Sequence, residues 1–254
     1  MKRYTFGLGA IGVFAVLIAA GIWFVGISGD RVGHFAEKSY VFRTFLADDD
    51  IRIKITRDSV ATLTGTVSTW SNRSLAKETV AELSGVKMIV NRLEVKGGQP
   101  AEGSDLWIRD RVKTMLMFNR NVNGFKTDVD VKGGVVMLSG EATDEAQKEL
   151  TAVYVMDIGG VKKITNDITV VEKDLKAASG EKSEYVDDAS ITAQVRLALL
   201  LYRMTSNFKT EVETTDGLVT LSGNALNSTG KEYAGELTGY IHGVSGVRND
   251  MVIR

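Results

Sequence analysis

The sequence predicts an α+β protein of three tandem units, each with the order helix, strand, strand, helix, strand. The first observation is a pair of glycines, 20 residues apart, that occurs three times after a hydrophobic run. The pairs are Gly65 and Gly85, Gly140 and Gly160, and Gly223 and Gly243. The second observation is an asparagine six residues beyond each pair, at Asn91, Asn166 and Asn249. Three segments that share these spacings indicate an internal repeat.

The repeat divides the chain into an N-terminal segment and three units. Residues 1–29 are hydrophobic, and the units are unit 1 (30–95, with a degenerate first helix), unit 2 (105–171) and unit 3 (188–254). Units of this size bury only about 60% of their unfolded surface, so each is marginal alone. The residues between units are rich in glycine or in Lys, Glu and Ser, a composition typical of flexible linkers.

Composition excludes several classes of function. The chain has 31 basic and 32 acidic residues and a net charge of −1, which argues against bulk attraction to nucleic acid. It has no cysteine, which excludes disulfides, thiolate metal sites and thiol catalysis. His34 and His242 are the only histidines, so little imidazole is present for metal binding or acid–base chemistry. We therefore expect no metal site, no cofactor and no small-molecule substrate.

The N-terminal segment has the character of a membrane anchor or a signal peptide. Residues 4–29 carry no charge, and a membrane-spanning helix needs roughly 20 apolar residues. Small residues at Gly26 and Ser28 leave cleavage open. In both cases Lys2 and Arg3 favour the cytoplasmic side, so the three units are expected outside the cytoplasm.

The first helix of each unit is predicted from a helical spacing of apolar residues behind an aspartate. Asp105 and Asp188 begin units 2 and 3, and we expect them to be N-caps. Apolar residues follow at i, i+4, i+7 and i+8, which places them on one face of a helix. They are Ile108, Val112, Met115 and Leu116 in unit 2, and Ile191, Val195, Ala198 and Leu199 in unit 3. Unit 1 has Glu37 where the others have valine, so its first helix is degenerate.

A hairpin follows the first helix. Alternating apolar residues from Phe125 and from Phe208 predict strands with one covered face, and Gly133-Gly134 and Asp216-Gly217 predict two-residue turns. In unit 1 the isoleucines Ile51, Ile53 and Ile55 are one position out of phase, which predicts a turn one residue longer.

The second helix and last strand complete each unit. We expect Gly85, Gly160 and Gly243 to end the second helix in the left-handed region. A β-bulge is expected at Asn91, Asn166 and Asn249, where the alternation of apolar residues breaks. The hairpin is antiparallel and the crossover through the helix is parallel, so each sheet is mixed and three-stranded, with two helices on one face.

These residues resemble the BON domain, a bacterial module of osmotically inducible periplasmic and nodulation proteins. The resemblance depends on the second strand ending in glycine, the Gly-Val step and the asparagine before the last strand. The strand endings are Leu63-Thr64-Gly65, Leu138-Ser139-Gly140 and Leu221-Ser222-Gly223. Three copies behind an uncleaved anchor depart from the usual one or two copies behind an export signal.

The resemblance implies a non-enzymatic αββαβ module of the cell envelope, associated with phospholipid contact and envelope integrity under osmotic stress. Together with the N-terminal segment, it leads us to expect an inner-membrane protein with a single span and its units in the periplasm, or a soluble periplasmic protein if the leader is cleaved. The candidate partners are the membrane through the N-terminal helix, anionic phospholipid and envelope proteins. A periplasmic chaperone that receives unfolded segments by strand addition is the alternative.

A basic and apolar cluster on the first helix of unit 2 is the candidate lipid-contact site. Its residues are Arg109, Arg111, Lys113, Met117, Phe118 and Arg120. Basic helices with large apolar side chains bind anionic headgroups, although basic residues also coat the wet side of ordinary amphipathic helices. Two other motifs are weaker. The loop from Asn119 to Asp130 resembles a calcium loop without its first aspartate and last glutamate, and Ser74 and Lys77 have S-x-x-K spacing without accompanying motifs.

Overall fold

A computed structural model of the chain describes residues 32–171, 185–202, 205 and 209–254. The hydrophobic segment 1–29, most of the second linker and the predicted strand start at Phe208 lie outside these residues. Within the described ranges, no helix combines the length and the apolar character needed to cross a bilayer.

The order of elements confirms the predicted repeat. Unit 1 contains α1 (32–38), α2 (Tyr40–Thr44), β1 (Asp50–Ile55), β2 (Val60–Val67), α3 (Trp70–Ala81) and β3 (Met88–Val95). Unit 2 contains α4 (Asp105–Phe118), β4 (Thr127–Lys132), β5 (Val135–Ala142), α5 (Glu145–Met156), β6 (Lys163–Asn166) and β7 (Thr169–Val170). Unit 3 contains α6 (Asp188–Leu201), β8 (Lys209–Thr215), β9 (Leu218–Ala225), α7 (Ser228–Gly239), β10 (Gly246–Asn249) and β11 (Val252–Ile253).

Each sheet is mixed, as predicted. The central strand, which is β2, β5 or β9, pairs antiparallel with the strand before it and parallel with the strand or strands after it. Burial alternates along β4, where Thr127, Val129 and Val131 are buried and the residues between them are exposed. The covered face meets the helices, and the opposite face is open.

The longer turn of unit 1 is confirmed. Ile55 pairs with Ala61, and the Thr56 N–H donates to the Val60 carbonyl, which leaves three turn residues. In unit 2 Lys132 pairs with Val135 across a two-residue turn. Ser59 takes a φ of 62° at the extra position, because a three-residue hairpin needs one left-handed residue.

The first glycine of each unit is required by close strand contact. Gly65, Gly140 and Gly223 have φ values of 119°, 119° and 103°. A Cβ atom at these positions would lie 2.0, 2.0 and 1.9 Å from a carbonyl oxygen of the neighbouring strand. The oxygens belong to Asp50, Lys126 and Lys209.

The expectation that the second glycine caps the helix is wrong in position. The second helices end at C-cap residues Glu82, Asp157 and Tyr240, three residues before the glycine. The glycine has positive φ in the following turn, where the chain passes close to the first helix. A Cβ at Gly160 would lie 2.8 Å from the Ile108 side chain, whereas nothing approaches the same atom at Gly85.

The asparagines do not form bulges. Between the pairs Leu138–Asn166 and Glu141–Thr169 both strands advance by the same number of residues, so neither contains an extra one. Instead, Nδ2 of each asparagine donates to a carbonyl of the second helix, and Oδ1 accepts the N–H two residues ahead. The carbonyls belong to Arg73, Lys148 and Lys231, and the N–H groups to Leu93, Ile168 and Met251. The side chain binds the edge strand to the helix, and this contact interrupts the ladder in units 2 and 3.

The aspartates that begin units 2 and 3 are not the N-caps. Ser104 and Asp187 are the caps, and the next residue carries a carboxylate that accepts both N–H groups of the hairpin turn. Asp105 accepts from Gly133 and Gly134 at 2.8 and 3.0 Å. Asp188 accepts from Asp216 and Gly217, each at 2.9 Å. The aspartate that recurs at the same spacing in units 2 and 3 therefore binds the first helix to the hairpin of its own unit.

Helix α6 lies at the centre of the three units. Ten of its fourteen residues are buried, because α3, α4 and α7 all pack against it. Arg196 forms ion pairs with Glu82 and Glu78 of α3. The N-cap carboxylate of Asp187 accepts the N–H of Tyr40, so α2 of unit 1 also binds here. The described units share one core.

Units 2 and 3 are joined by two matching contacts. Asn119, after the first helix of unit 2, forms an antiparallel bridge with Ile241, after the second helix of unit 3. Tyr202, after the first helix of unit 3, forms the same bridge with Ile158, after the second helix of unit 2. The residues correspond in the repeat, so the pair has approximate twofold symmetry.

We expect Gly140→Ala to lower the free energy of unfolding by at least about 3 kcal/mol, since its Cβ would overlap the Lys126 carbonyl and separate β4 from β5. Gly85→Ala is the matched control, because its φ is also positive but its surroundings are open, and about 1 kcal/mol is expected. Urea unfolding measures both. Equal losses would contradict the close-contact explanation.

Candidate functional site

Helix α4 carries most of the proposed lipid-contact residues, and the structure divides them into two groups. Arg109 and Lys113 are exposed and lie one turn apart on the same face. Arg111 is half-buried and Arg120 is exposed, and both bind unit 3. Met117 is half-buried and Phe118 is fully buried.

Arg111 and Arg120 have structural partners that sequence reasoning did not foresee. The Arg111 guanidinium stacks over the Trp107 ring at 3.6 Å and donates to the Leu201 carbonyl at 3.2 Å. Burial lowers the pKa of Arg111. Nη2 of Arg120 donates to the carbonyls of Ile241 and Val244 at 2.6 and 2.5 Å. Both cations are therefore committed to the junction between units 2 and 3.

The expectation that Phe118 faces a lipid surface is corrected by its burial. Its ring meets Phe45 of unit 1 edge-on, with centroids 5.2 Å apart. Phe45 also stacks on Phe125, at 6.0 Å. The end of α4 is covered because unit 1 packs there, which a reading of unit 2 by itself does not reveal.

Arg109 and Lys113 line a cleft of about 430 Å³ between units 1 and 2. Lys96, in the linker directly after unit 1, adds a third cation. The cleft also has apolar lining residues: Trp70, Val95, Pro100, Leu106 and Val129. Sequence analysis missed Trp70, Lys96 and Leu106. Trp70 belongs to unit 1 and Lys96 to the linker after it, and only the packing of units brings these two residues to α4.

Asp110 is the only carboxylate that lines this cleft within the described residues. It accepts the Ser71 N–H at 3.1 Å, and so binds an N–H group that the first turn of α3 leaves unpaired. Burial raises the pKa of the Asp110 carboxyl, although the bond from Ser71 opposes the rise. The Asp110 carboxylate therefore binds α3 of unit 1. Since Arg109, Lys113 and Lys96 outnumber it, the lining of the cleft has a net positive charge.

The other chemical candidates are occupied by structural contacts. Oδ1 of Asn119 accepts the Asn121 N–H at 2.9 Å, and Lys77 pairs with Glu78 at 3.0 Å. The backbone N–H of His242 donates to the Phe118 carbonyl, and burial lowers the pKa of the His242 imidazole. Among the described residues, no three His, Asp or Glu side chains group as they would around a metal ion.

The cleft combines cations with apolar walls, a combination that suits an anionic amphiphile. Arg and Lys can bind a phosphate group, while Trp70 and Leu106 offer surface to hydrocarbon.

Comparison with known proteins gives a consistent family match. The sequence pattern of the BON domain matches residues 41–97, 104–172 and 187–254. Osmotically-inducible protein Y of Escherichia coli (strain K12) is 30% identical over 149 residues, which are 58% of this chain and 71% of that protein.

Two solved structures align with low scores. The C-terminal domain of CdsD, a structural protein of the type III secretion system of Chlamydia trachomatis, covers 87% of this chain and 96% of its own, at 17% identity and a TM-score of 0.23. The periplasmic domain of the inner membrane protein PrgH from S. typhimurium covers 81% and 100%, at 10% identity and a TM-score of 0.19. These scores are too low to support an argument.

Asp110 and Asp105 are predicted to affect the pH dependence of stability with opposite signs. The raised pKa of Asp110 stabilises the folded chain below the ordinary value of 3.8, and this contribution is lost as the pH rises through the raised pKa. The hydrogen bonds from Gly133 and Gly134 lower the pKa of Asp105, so its contribution is present above 3.8 and lost on acidification.

Thermal unfolding from acid to neutral pH tests this prediction. Relative to the unchanged chain, Asp110→Asn should gain stability as the pH rises, and Asp105→Asn should lose it. Parallel curves for the two variants would show that Asp110 is not buried against α3.

Proposed function

Because the chain belongs to the BON domain family, we propose that it is a non-enzymatic periplasmic protein of the bacterial cell envelope that binds anionic phospholipid during osmotic stress. The family membership and the similarity to Osmotically-inducible protein Y support the envelope and stress-related part of this proposal. The phospholipid part is supported by the cleft between units 1 and 2.

The observation that carries the lipid proposal is the convergence of three cations on an apolar cleft. Arg109 and Lys113 approach it from unit 2 and Lys96 from the linker after unit 1, and Trp70 and Leu106 provide apolar surface beside them. Each cation near an anionic membrane surface adds about 1 kcal/mol of attraction. The cleft therefore binds a phosphate headgroup and leaves the acyl chains along its apolar side.

The uncharged N-terminal sequence supports a site near a membrane. Residues 1–29 anchor the chain in the inner membrane with the units in the periplasm, and cleavage would release a soluble periplasmic protein. Mass spectrometry of the mature N-terminus distinguishes the two forms.

The chaperone alternative is less favoured by the edge strands. Strand addition needs unpaired N–H groups along an exposed edge. Those of Leu93, Ile168 and Met251 are already bound by the asparagine side chains, so each final strand is partly protected. Suppression of aggregation of an unfolded client by the chain would support that alternative.

We expect the double variant Arg109→Ala/Lys113→Ala to weaken binding to phosphatidylglycerol vesicles roughly 30-fold, since two cations contribute about 2 kcal/mol. Flotation of residues 30–254 measures the effect without the N-terminal segment; the core described above begins at residue 32.

The matched control is Arg52→Ala/Lys54→Ala, which removes two exposed cations from β1, away from the cleft. It should bind as the unchanged fragment does. Equal losses of vesicle binding in both double variants would show that binding depends on net charge and not on the cleft. If the unchanged fragment does not bind these vesicles, the lipid proposal is wrong.

A further inference from the structure

Asp110 lies among the cations of the cleft without pairing with any of them. It is on the same helix as Arg109 and Lys113, and all three residues line the cleft. Oδ2 of Asp110 accepts the Ser71 N–H at 3.1 Å, and the Thr114 hydroxyl lies 3.5 Å from Oδ1. No Lys, Arg or His side chain of the described residues forms an ion pair with Asp110. Neutral donors therefore hold its negative charge.

The other charged residues in the lining of the cleft are all basic. The linker contributes Lys96, whereas its own carboxylate, Glu102, does not line the cleft. Strand β4 contributes only an uncharged residue. On α4, Arg111 interacts electrostatically with Asp110, although its guanidinium binds unit 3. The first charged residue of α3 is Arg73, whose guanidinium donates to a backbone carbonyl of β3. An ionised Asp110 therefore offsets part of the positive charge that attracts an anionic headgroup.

We propose that Asp110 regulates the cleft by taking up a proton, so that the cleft binds anionic phospholipid more tightly when this carboxyl is neutral. This regulation rests on the lipid binding proposed above. Protonation leaves Arg109, Lys113 and Lys96 as the only charged residues of the described lining. The lining thereby gains one positive charge, which near an anionic surface is worth about fivefold in affinity.

Binding and protonation favour each other. Burial against α3 raises the pKa of the Asp110 carboxyl. A phosphate group in the cleft raises this pKa further, because a nearby like charge disfavours the carboxylate. Linkage is reciprocal, so lipid affinity increases by the same free energy as the pH falls through the pKa of Asp110.

The contact between units 1 and 2 is compatible with a neutral side chain at this position. A protonated carboxyl keeps an oxygen that accepts the Ser71 N–H, and so does the amide of asparagine. Asp110→Asn therefore removes the charge and keeps the acceptor for the first turn of α3. It represents the protonated state at every pH.

Flotation of residues 30–254 on vesicles of phosphatidylglycerol and phosphatidylcholine, at neutral and at mildly acidic pH, tests the proposal. The affinity of the unchanged fragment should rise as the pH falls. Asp110→Asn should bind about fivefold more tightly than the unchanged fragment at neutral pH, and its affinity should change less on acidification. The same pH dependence in both would overturn the proposal.

Asp58→Asn is the matched control. It removes one exposed carboxylate from the hairpin turn of unit 1, outside the lining of the cleft. This variant should bind as the unchanged fragment does at both pH values, and titration of the lipid itself affects all variants alike. An equal gain in Asp58→Asn and Asp110→Asn would assign the effect to net charge, against the proposal.

A second measurement uses the unchanged fragment and does not depend on the folding of a variant. In an NMR titration of the aspartate carboxyl carbons, soluble dihexanoyl phosphatidylglycerol should raise the pKa of Asp110 and leave the titration curve of Asp58 in place. Lipid binding with no change in the pKa of Asp110 would contradict the regulation alone. Absence of lipid binding at both pH values would contradict the lipid proposal and the regulation together, so the two failures are distinguished.

Discussion

The burial of α6 is the constraint on which the arrangement of the whole chain depends. A unit of this size buries only about 60% of its unfolded surface and is marginal alone, and α6 provides a surface that all three units share. Its apolar stripe faces its own sheet, while Ala193, Gln194 and Leu197 are buried by the other units. A helix covered on nearly every side holds its neighbours in fixed positions. The cleft between units 1 and 2 exists because both units are held against this helix.

The repeats keep the same internal contacts and differ in their outward ones. In units 2 and 3 an aspartate binds the hairpin turn, and in all three units an asparagine binds the edge strand to the second helix. These contacts close within one unit, so each copy needs them. The exposed helix faces are free to diverge, and they carry Glu78 in one unit and Val153 in another. Differences between copies therefore indicate surfaces that meet something other than the unit itself.

The candidate cleft also shows how packing sorts chemically similar residues. Four basic residues lie on or just after α4, and their side chains have different roles. Arg111 and Arg120 bind carbonyls of unit 3, where a guanidinium satisfies acceptors at helix ends. Arg109 and Lys113 remain available to a ligand. Their separation into two roles depends on which side of α4 each neighbouring unit covers.

The sequence by itself determined the repeat, the order of elements, the mixed sheets and the longer turn of unit 1, because spacing and alternation are local properties. It also named Arg109 and Lys113 as candidates, and the structure shows that both line the cleft. It predicted a cap at Asp105 and a bulge at Asn166, and both predictions were wrong. A local sequence pattern describes one backbone segment and does not identify the distant group that a side chain binds. Only the tertiary structure decided that Phe118 is buried and that Trp70 and Lys96 join the cleft. Those contacts form between different units, and the periodicity of the sequence within one unit does not predict them.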